Sequence, residues 1–545
     1  MALIRFLILS LSVLVASLAQ AQSTAGTTAA ALRFDILAFN VAGNSVLSSD
    51  EIEQAVYPFL GEQKTVADAE GARAALERAY AARGYLSVTV MLPPQAATNG
   101  EFTLQVVEAA VATRRISGAR YNLPSSLAEA TPSIAPGQVP DFNELQAELV
   151  KLQSRADLQV TPLIQAAAEP GLIEVELKVQ DAPALHASAE LNSKQTYNTP
   201  RGRLEAGLRY DNLFQRQHSL GLNLIVPPQE RQASTTWVLS YGLPVGDDRV
   251  SASYVKSDSN TPTSLGGATV TRGETLGARW RRPLAGVEPG FSHGATLGVD
   301  WKVNTDASQN VAGFSTQNPA LRYPVYALAY DLYDGRTEGR VTSFDATLAF
   351  GTGLLGSRSV DCNGVVRNQF DCKRSGAGPN FQVLRLNALR KLPVFGRWEL
   401  SLRGQLQLAA DPLASGEQMG VGGMDSVRGY YEYEQVGDQG LLLRAELSSP
   451  PLVSLGPVRL QALVFGDRAR LRVNQALAAE QSDISLGSLG FSLRGQSPEG
   501  LQLRLDFAWP LIDTLKADST GTLLPASGRD SRNNKRVDFS ARYAF

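Results

Sequence analysis

The sequence predicts two small α/β modules followed by an all-β transmembrane barrel of sixteen strands. Three observations predict it. Between Leu32 and about Gln180 the apolar residues recur with helical and strand periods in turn. From Ala184 the helical period vanishes. What remains is a succession of stretches, each about ten residues long, that alternate apolar and polar side chains.

The chain of 545 residues opens with Arg5 ahead of an apolar run, Phe6 to Ala16, and Ala19-Gln20-Ala21 has the small-x-small form of a cleavage site. Residues 1–21 read as a secretory signal peptide. The run is too short for a membrane anchor, and no later stretch of about 18 apolar residues offers a membrane-spanning helix. The net charge of -2 gives no pull toward nucleic acid.

In the first module "LRFDILAFNVAG" reads as a strand. "SSDEIEQAVYPFLG" reads as a helix opened by Ser48 and Glu51 as a capping box. "TVADAEGARAALERAYAARGY" follows, with Thr65 as N-cap and Gly84 closing the helix as a C′ residue. "YLSVTVMLP" and "GEFTLQVVEA" are alternating strands. The order repeats from Arg114 through "RRISGARY", a polar proline-rich stretch, the helix "DFNELQAELVKLQSR", and the strands "LQVTPLIQ" and "GLIEVELKVQD".

In the barrel half, "WELSLRGQLQL" sets Trp398, Leu400, Leu402, Leu406 and Leu408 against Glu399, Ser401, Arg403, Gln405 and Gln407. "LQLRLDFAW" sets Leu501, Leu503, Leu505, Phe507 and Trp509 against Gln502, Arg504 and Asp506. Strands of membrane-spanning length whose polar face carries opposite charges and small residues fit a barrel, apolar toward lipid and polar toward a lumen. Closure leaves no unpaired backbone edge in the bilayer. Tight connections ("YDNLFQRQ", "LPVGDD") alternate with long polar ones around Asn260, around Cys362, and at "GGMDSVRGYYEYEQVGDQG". All five tryptophans fall in this half, as interfacial girdles require. The chain ends "VDFSARYAF", with Phe539, Ala541, Tyr543 and Phe545 on one face of a last strand that bears an assembly signal.

The only cysteines, Cys362 and Cys372, lie in one polar stretch and, past a secretory signal, read as a disulfide. The histidines, His186, His218 and His293, are scattered and give no metal site. "GFSHG", Gly290 to Gly294, matches G-x-S-x-G, but a barrel strand follows where a nucleophile elbow needs a helix. No P-loop, dinucleotide fingerprint or HExxH occurs. The reading is not an enzyme, with no cofactor and no metal.

These features together resemble the two-partner secretion transporters of the outer membrane, the hemolysin and filamentous-hemagglutinin secretion/activation proteins of the Omp85 superfamily. "AARGYLSVTVMLPPQAATNGEFTLQV" looks like that family's first POTRA domain, with Gly84-Tyr85 and Pro94-Gln95 in place. "VTPLIQAAAEPGLIEVELKV" looks like the end of its second, and "LNSKQTYNTPRGRLEAGLRYDNLF" like its first barrel hairpin. "GGMDSVRGYYEYEQVGDQGLLLRAEL" matches the loop after the eleventh strand, and "ALVFGDRARL" the strand with the F-x-D motif, Phe465 and Asp467. The resemblance implies POTRA domains at 32–112 and 113–181 and a barrel at 184–545. A loop, 411–438, would fold back into the lumen.

It also implies a function. The POTRA domains would capture a hemolysin- or adhesin-like exoprotein in extended form, and the barrel would conduct it to the surface. Further partners would be outer-membrane lipid and, during biogenesis, the barrel assembly machinery; no nucleic acid. The alternative is an outer-membrane protein insertase or assembly factor of the same superfamily. Within the loop motif Val427-Arg428-Gly429-Tyr430, Arg428 is expected in the lumen, paired with Asp467. Phe465 and Asp467 would face inward and Val464 lipid. Gly422, Gly423 and Gly429 supply backbone freedom and close approach to the wall. Two departures stand out. Only "QSTAGTTAAA" separates the expected cleavage point from Leu32, so plugging falls to the VRGY loop rather than an N-terminal helix. "VVEAA" replaces the usual Glu-Gly between the POTRA domains.

Overall fold

The computed structural model describes residues 33–95, 99–153, 155, 157–196, 199–229, 235–257, 261–262, 269–270, 273–288, 290–305, 309–311, 314–316, 319–362, 364–476, 481–517, 523–525, 532 and 535–545. The expected signal peptide, 1–21, and Asn260 lie outside the described residues. Two compact units divide the chain, the first ending at Ala182 and the second running Pro183–Phe545.

The first unit contains two copies of one module. In the first copy, β1 (Phe34–Ile36) and β3 (Gly61–Lys64) form a small ladder. The main sheet has β2 (Ala38–Ala42) parallel to β5 (Glu101–Glu108), and β4 (Val88–Met91) antiparallel to β5. Helices α1 (Ser49–Val56) and α2 (Val66–Ala82) join β2 to β4. The Ser48–Glu51 capping box is present, with Ser48 N donating to Glu51 Oε2 at 3.0 Å. Leu76 and Tyr80 of α2 are buried with Val88, Val90, Leu104 and Val106.

The second copy has β6 (Ala110–Ser117) parallel to β8 (Leu172–Asp181), and β7 (Leu158–Ala166) antiparallel to β8. Its helices are α3 (Pro124–Glu129) and α4 (Phe142–Gln153). Its sheet starts at Ala110, ahead of the boundary expected at 113. Helix α3 occupies a stretch read as merely polar and proline-rich. Pro124 sits in its first turn, where a missing N–H is harmless. Asp181 closes the module. Burial opposes its charge, but N–H donors from Arg120, Tyr121 and Asn122 outweigh it and hold its carboxyl below the ordinary value.

The copies meet at Gly84. It ends α2 at φ +96°, and a Cβ there would lie 2.2 Å from Asp141 Oδ1. Its carbonyl accepts from Phe142 N of α4 at 3.0 Å. Tyr85 packs against the core of the first copy.

The second unit is a closed antiparallel barrel of sixteen staves. They are β9 (Leu185–Asn192), β10 (Arg203–Leu213), β11 (His218–Val226), β12 (Thr236–Val245), β13 (Asp248–Ser257), β14 (Gly273–Pro283), β15 (Phe291–Asn304), β16 (Leu321–Asp334), β17 (Val341–Gly351), β18 (Gln382–Val394), β19 (Trp398–Ala409), β20 (Gln439–Ser448), β21 (Val458–Arg472), β22 (Asp483–Gln496), β23 (Leu501–Pro510) and β24 (Arg536–Ala544). Stave β20 resumes at Val453–Leu455 after Pro450-Pro451, whose missing N–H groups interrupt its ladder to β21. The barrel closes where β24 pairs with β9, from Ser540↔Asn192 to Ala544↔Ser188. Phe545 adds two main-chain hydrogen bonds with Ala187, each 3.0 Å.

Short connections gather at one rim, the turn rim, and long ones at the other, the loop rim. Leu402, Leu408, Val464, Leu503, Phe539 and Tyr543 are exposed on the outer face. Trp237, Trp301 and Trp509 lie near the loop-rim ends of their staves, and Trp280 and Trp398 near the turn-rim ends. This two-belt placement matches aromatic side chains that prefer the two membrane–water interfaces. Gly290–Gly294 turns into β15, with His293 2.8 Å from the Ala285 carbonyl oxygen. It therefore lacks the strand–helix elbow that a nucleophilic serine needs.

Wall packing depends on a glycine opposite Phe465. Gly490 is its cross-strand partner, and a Cβ there would lie 2.3 Å from the Phe465 ring and 2.2 Å from the Phe507 carbonyl oxygen. Gly490→Val should therefore overpack the wall, costing about 1–3 kcal/mol. The expected result is a reduced fraction of heat-modifiable, folded barrel on unboiled gels; a wild-type fraction would refute the packing account.

Candidate functional site

The connection between β19 and β20, residues 410–438, returns into the lumen instead of staying at the loop rim. A short hairpin, Met419–Val421 with Gln435–Gly437, carries it inward. At its tip Gly422 and Gly423 take φ +111° and +107°, which side-chain-bearing residues rarely adopt. A Cβ would strike the Tyr431 carbonyl oxygen at 2.5 Å from Gly422, and the Glu432 carboxylate at 2.2 Å from Gly423. The turn is closed by Gly423 N donating to Val427 O and Gly422 N donating to Ser426 Oγ. Gly429, at φ +91°, lies against Pro510 and Ala508, where a Cβ would be 3.0 Å from the Pro510 ring. That fit lets the tetrapeptide Val427–Tyr430 reach the wall.

Arg428 has no exposed surface. Its Nε and Nη2 donate to the two oxygens of Asp467 at 2.7 Å each, and its backbone N–H donates to Asp467 Oδ2 at 3.1 Å. Nη1 donates to Glu446 Oε1 at 2.7 Å. The guanidinium carbon lies 3.4 Å from the Phe465 ring centroid, a cation–π contact. Arg444 completes the group, 3.4 Å from both carboxylates, and donates to the Asp425 carbonyl at 2.7 Å. Two guanidiniums thus face two carboxylates. Such pairing is required, because a buried unmatched charge is prohibitively costly.

Beside Arg428, Val427 and Tyr430 are buried with Val421, Leu442, Ala469, Leu471, Ile484 and Leu486. The Tyr430 hydroxyl lies 2.7 Å from the Ile512 carbonyl oxygen and 2.9 Å from that of Gly487. A second ion chain extends the grip. Asp425 accepts from Lys194 at 3.1 Å and Arg504 at 2.9 Å, and Asp506 accepts from Arg504 and Arg494 at 2.7 Å and 2.6 Å.

The loop is also held at two places that sequence reasoning missed. Glu417, fully buried, accepts from Lys302 at 2.6 Å, Tyr323 at 2.9 Å and Arg385 at 3.1 Å, on β15, β16 and β18. These staves are remote in the wall from β21, which carries Asp467. At the loop's exit, buried Asp438 is bound by both terminal nitrogens of Arg374 and by the N–H groups of Leu413 and Asn474. Arg374 follows Cys372 by two positions. Cys372 is disulfide-bonded to Cys362 with Cα atoms 5.7 Å apart, in the loop between β17 and β18. Alternation along "GLLLRAEL" places Arg444 and Glu446 on one face and was the available signal for both. Nothing in the sequence marks Glu417 or Asp438, because their partners lie far along the chain, on β15, β16 and β18 for Glu417 and chiefly in the loop between β17 and β18 for Asp438.

No cluster of metal-ligating residues occurs among the described residues. The site is a set of charge-assisted hydrogen bonds between a lumen loop and the barrel wall. It holds the loop against the wall.

Comparison with known proteins gives two matches to family models. Residues 171–495 match the haemolysin secretion/activation protein ShlB/FhaC/HecB, and residues 34–109 match the POTRA domain, ShlB-type. No curated protein matches the chain in sequence. Among solved structures, the chain is similar to CdiB from Escherichia coli, with a TM-score of 0.64 and 19% identity, covering 96% of this chain and 92% of that one. CdiB from Acinetobacter baumannii gives 0.58 and 14% identity, with 94% and 90% covered. BamA from Haemophilus ducreyi lacking POTRA domains 1-3 gives 0.52 and 15%, with 94% and 100% covered. At these identities the structures establish a shared fold.

Two substitutions separate the anchors. Asp467→Asn removes one of the two carboxylate charges that face Arg428 and should weaken the docked tip by about 3 kcal/mol. Glu417→Gln leaves Lys302 and Arg385 without a counter-charge and should loosen the loop's other side. Each variant is expected to assemble and to raise single-channel conductance in planar bilayers. Conductance identical to wild type in both would show that neither contact holds the loop in the lumen.

Proposed function

As a member of the haemolysin secretion/activation family ShlB/FhaC/HecB, the chain is an outer-membrane transporter of the two-partner secretion type, and we propose that it secretes one partner exoprotein through its barrel. The POTRA domain at 34–109 lies in the periplasm; on this reading the second module lies there too and the long loops face outside. The cargo is a hemolysin- or adhesin-like protein handed over in extended form. The single observation that carries this reading is the buried Arg428–Asp467–Glu446 group, which ties the loop to the wall of a polar lumen.

The chemistry of each part supports the proposal. Each module ends its sheet on strands paired on one side only, such as β7, whose ladder partner is β8 alone. Such an edge accepts an extended segment by main-chain hydrogen bonds. A lumen walled by Arg, Asp, Glu, Ser and Gln solvates the backbone of an unfolded chain, which lipid would not. The loop's ion pairs are reversible contacts, so a passing chain displaces them without covalent chemistry or nucleotide hydrolysis. Folding of the exoprotein outside biases the direction. The barrel assembly machinery would read the terminal aromatic face of Phe539, Tyr543 and Phe545 during biogenesis.

An insertase of the same superfamily would share the barrel and would act on membrane strands. The family match and the pair of modules favour the translocator.

Deleting this protein should leave a genetically linked exoprotein cell-associated and clear it from the medium; an exoprotein that still reaches the medium, with no second transporter present, sinks the proposal. Arg428→Ala should lower secretion at least tenfold at wild-type barrel abundance, a loss of at least about 1.4 kcal/mol of function-supporting interaction. Normal secretion from that variant would remove Arg428 from the mechanism.

A further inference from the structure

On the outer face of the wall, behind the Arg428 anchor, five neighbouring staves carry unusually small side chains. Cross-strand register aligns them in two adjacent rows. One row runs Phe344, Ala388, Gly404, Leu443, Arg468 and Gly487. The other runs Thr342, Arg390, Leu402, Ala445, Gly466 and Leu489. Residues between the rows, Arg444 and Asp467 among them, point the other way, into the lumen. Elsewhere this face is dominated by leucines and aromatics. Here Ala388, Gly404, Ala445, Gly466 and Gly487 leave a groove of about 700 Å3. That volume lies in the range of specific ligand sites. Leu402, Leu443 and Leu489 rise beside its small-residue floor, and all three are well exposed.

The groove has a cation at each end. Arg390, near the turn rim, donates to Thr342 Oγ1. Arg468, near the loop rim, makes no ion pair with any described residue, whereas its neighbour Arg470 pairs with Asp483. A Cβ on Gly487 would lie 3.2 Å from the Arg468 guanidinium, so this glycine lets the side chain lie flat across β22 at the groove's mouth. The surface is thus an apolar slot across the lipid-facing band, ending near the loop rim in a guanidinium with no ion-pair partner among the described residues.

We propose that this groove binds one acyl chain of a phosphorylated outer-leaflet glycolipid of the lipid A type, with its phosphate on Arg468. Charge complementarity selects the occupant. The slot takes hydrocarbon, Arg468 takes an anion, and Arg390 at the opposite rim is already engaged. An arginine paired to phosphate makes strong charge-assisted hydrogen bonds. Basic residues at the membrane surface attract anionic headgroups in the same way. Apolar chain and apolar wall gain only packing in a bilayer, so the slot's shape has to supply the selectivity over ordinary annular contact. The bound chain would lie one strand thickness from Asp467 and Arg444, on the reverse side of the wall that holds the loop.

The test uses the full-length protein, purified in detergent, stripped of bulk lipid and titrated with diphosphoryl lipid A, dephosphorylated lipid A or phosphatidylethanolamine. Bound lipid is counted by native mass spectrometry. Wild type is expected to keep one diphosphoryl lipid A. Gly404→Leu fills the slot. Its Cβ would meet only Leu443, at an ordinary 3.6 Å, so the barrel tolerates it. It should lose the retained molecule. Arg468→Gln should weaken diphosphoryl lipid A binding about tenfold and leave the dephosphorylated form unchanged. Equal retention by wild type and Gly404→Leu, or no phosphate preference to lose in Arg468→Gln, overturns the proposal and leaves annular lipid only. The readout is independent of any exoprotein, so its failure does not bear on the translocator reading.

Discussion

A guanidinium with no exposed surface dictates much of this molecule. Arg428 is carried into the barrel by a loop, and an unpaired cation there would cost several kcal/mol. The wall meets that demand with Asp467 on β21 and Glu446 on β20, and it balances those carboxylates with Arg444. The consequences spread outward. Phe465 must lie beneath the cation, so Gly490 must leave room for its ring. Gly429 must let the backbone touch Pro510, and Gly422 and Gly423 must turn the chain so that Val427 and Tyr430 flank the arginine.

The two added anchors make the loop a strap held at both sides of the lumen and at its exit. Glu417 is fastened to β15, β16 and β18, Arg428 to β20 and β21, and Asp438 to Arg374 of the disulfide-bonded loop. All three are carboxylate–cation contacts in a polar interior. Water that enters with an unfolded chain weakens contacts of this kind, because the same pairs are worth far less at high dielectric. A strap of ionic contacts is therefore firm when the lumen is dry and yielding when it is wetted. That property fits the proposed passage of a chain past this loop. An apolar plug would lack it, since water strengthens apolar association.

The wall separates two solvents, and its side chains answer to each. Outward residues are mostly leucines and aromatics, with tryptophans toward both rims. Inward residues are mostly charges, amides and hydroxyls, with an apolar patch beneath Val427 and Tyr430. Where both faces are demanding at once, behind the Arg428 anchor, the outer face falls to glycine and alanine. The groove there and the ion cluster inside are thus two sides of one strip of backbone.

The sequence by itself determined the local features. A period of two from Ala184 marks the staves, their inward and outward faces and an even strand count. A helical period marks α1, α2 and α4, and Ser48 with Glu51 marks a cap. Those signals are legible because they arise between residues close along the chain. Helix α3 was not legible, since six residues opened by proline carry too little periodicity to outweigh a turn reading. The module boundary shifted to Ala110 because strand membership depends on pairing with Leu172, far along the chain. The Arg428–Asp467 pairing came from resemblance rather than from spacing. Only the tertiary structure decided that Glu446, Arg444, Glu417 and Asp438 share the load. Their partners stand on other staves or, for Asp438, in another loop, and cross-strand register and barrel closure are non-local. A one-residue slip in register would move the wall residues Arg444 and Glu446 to the opposite face.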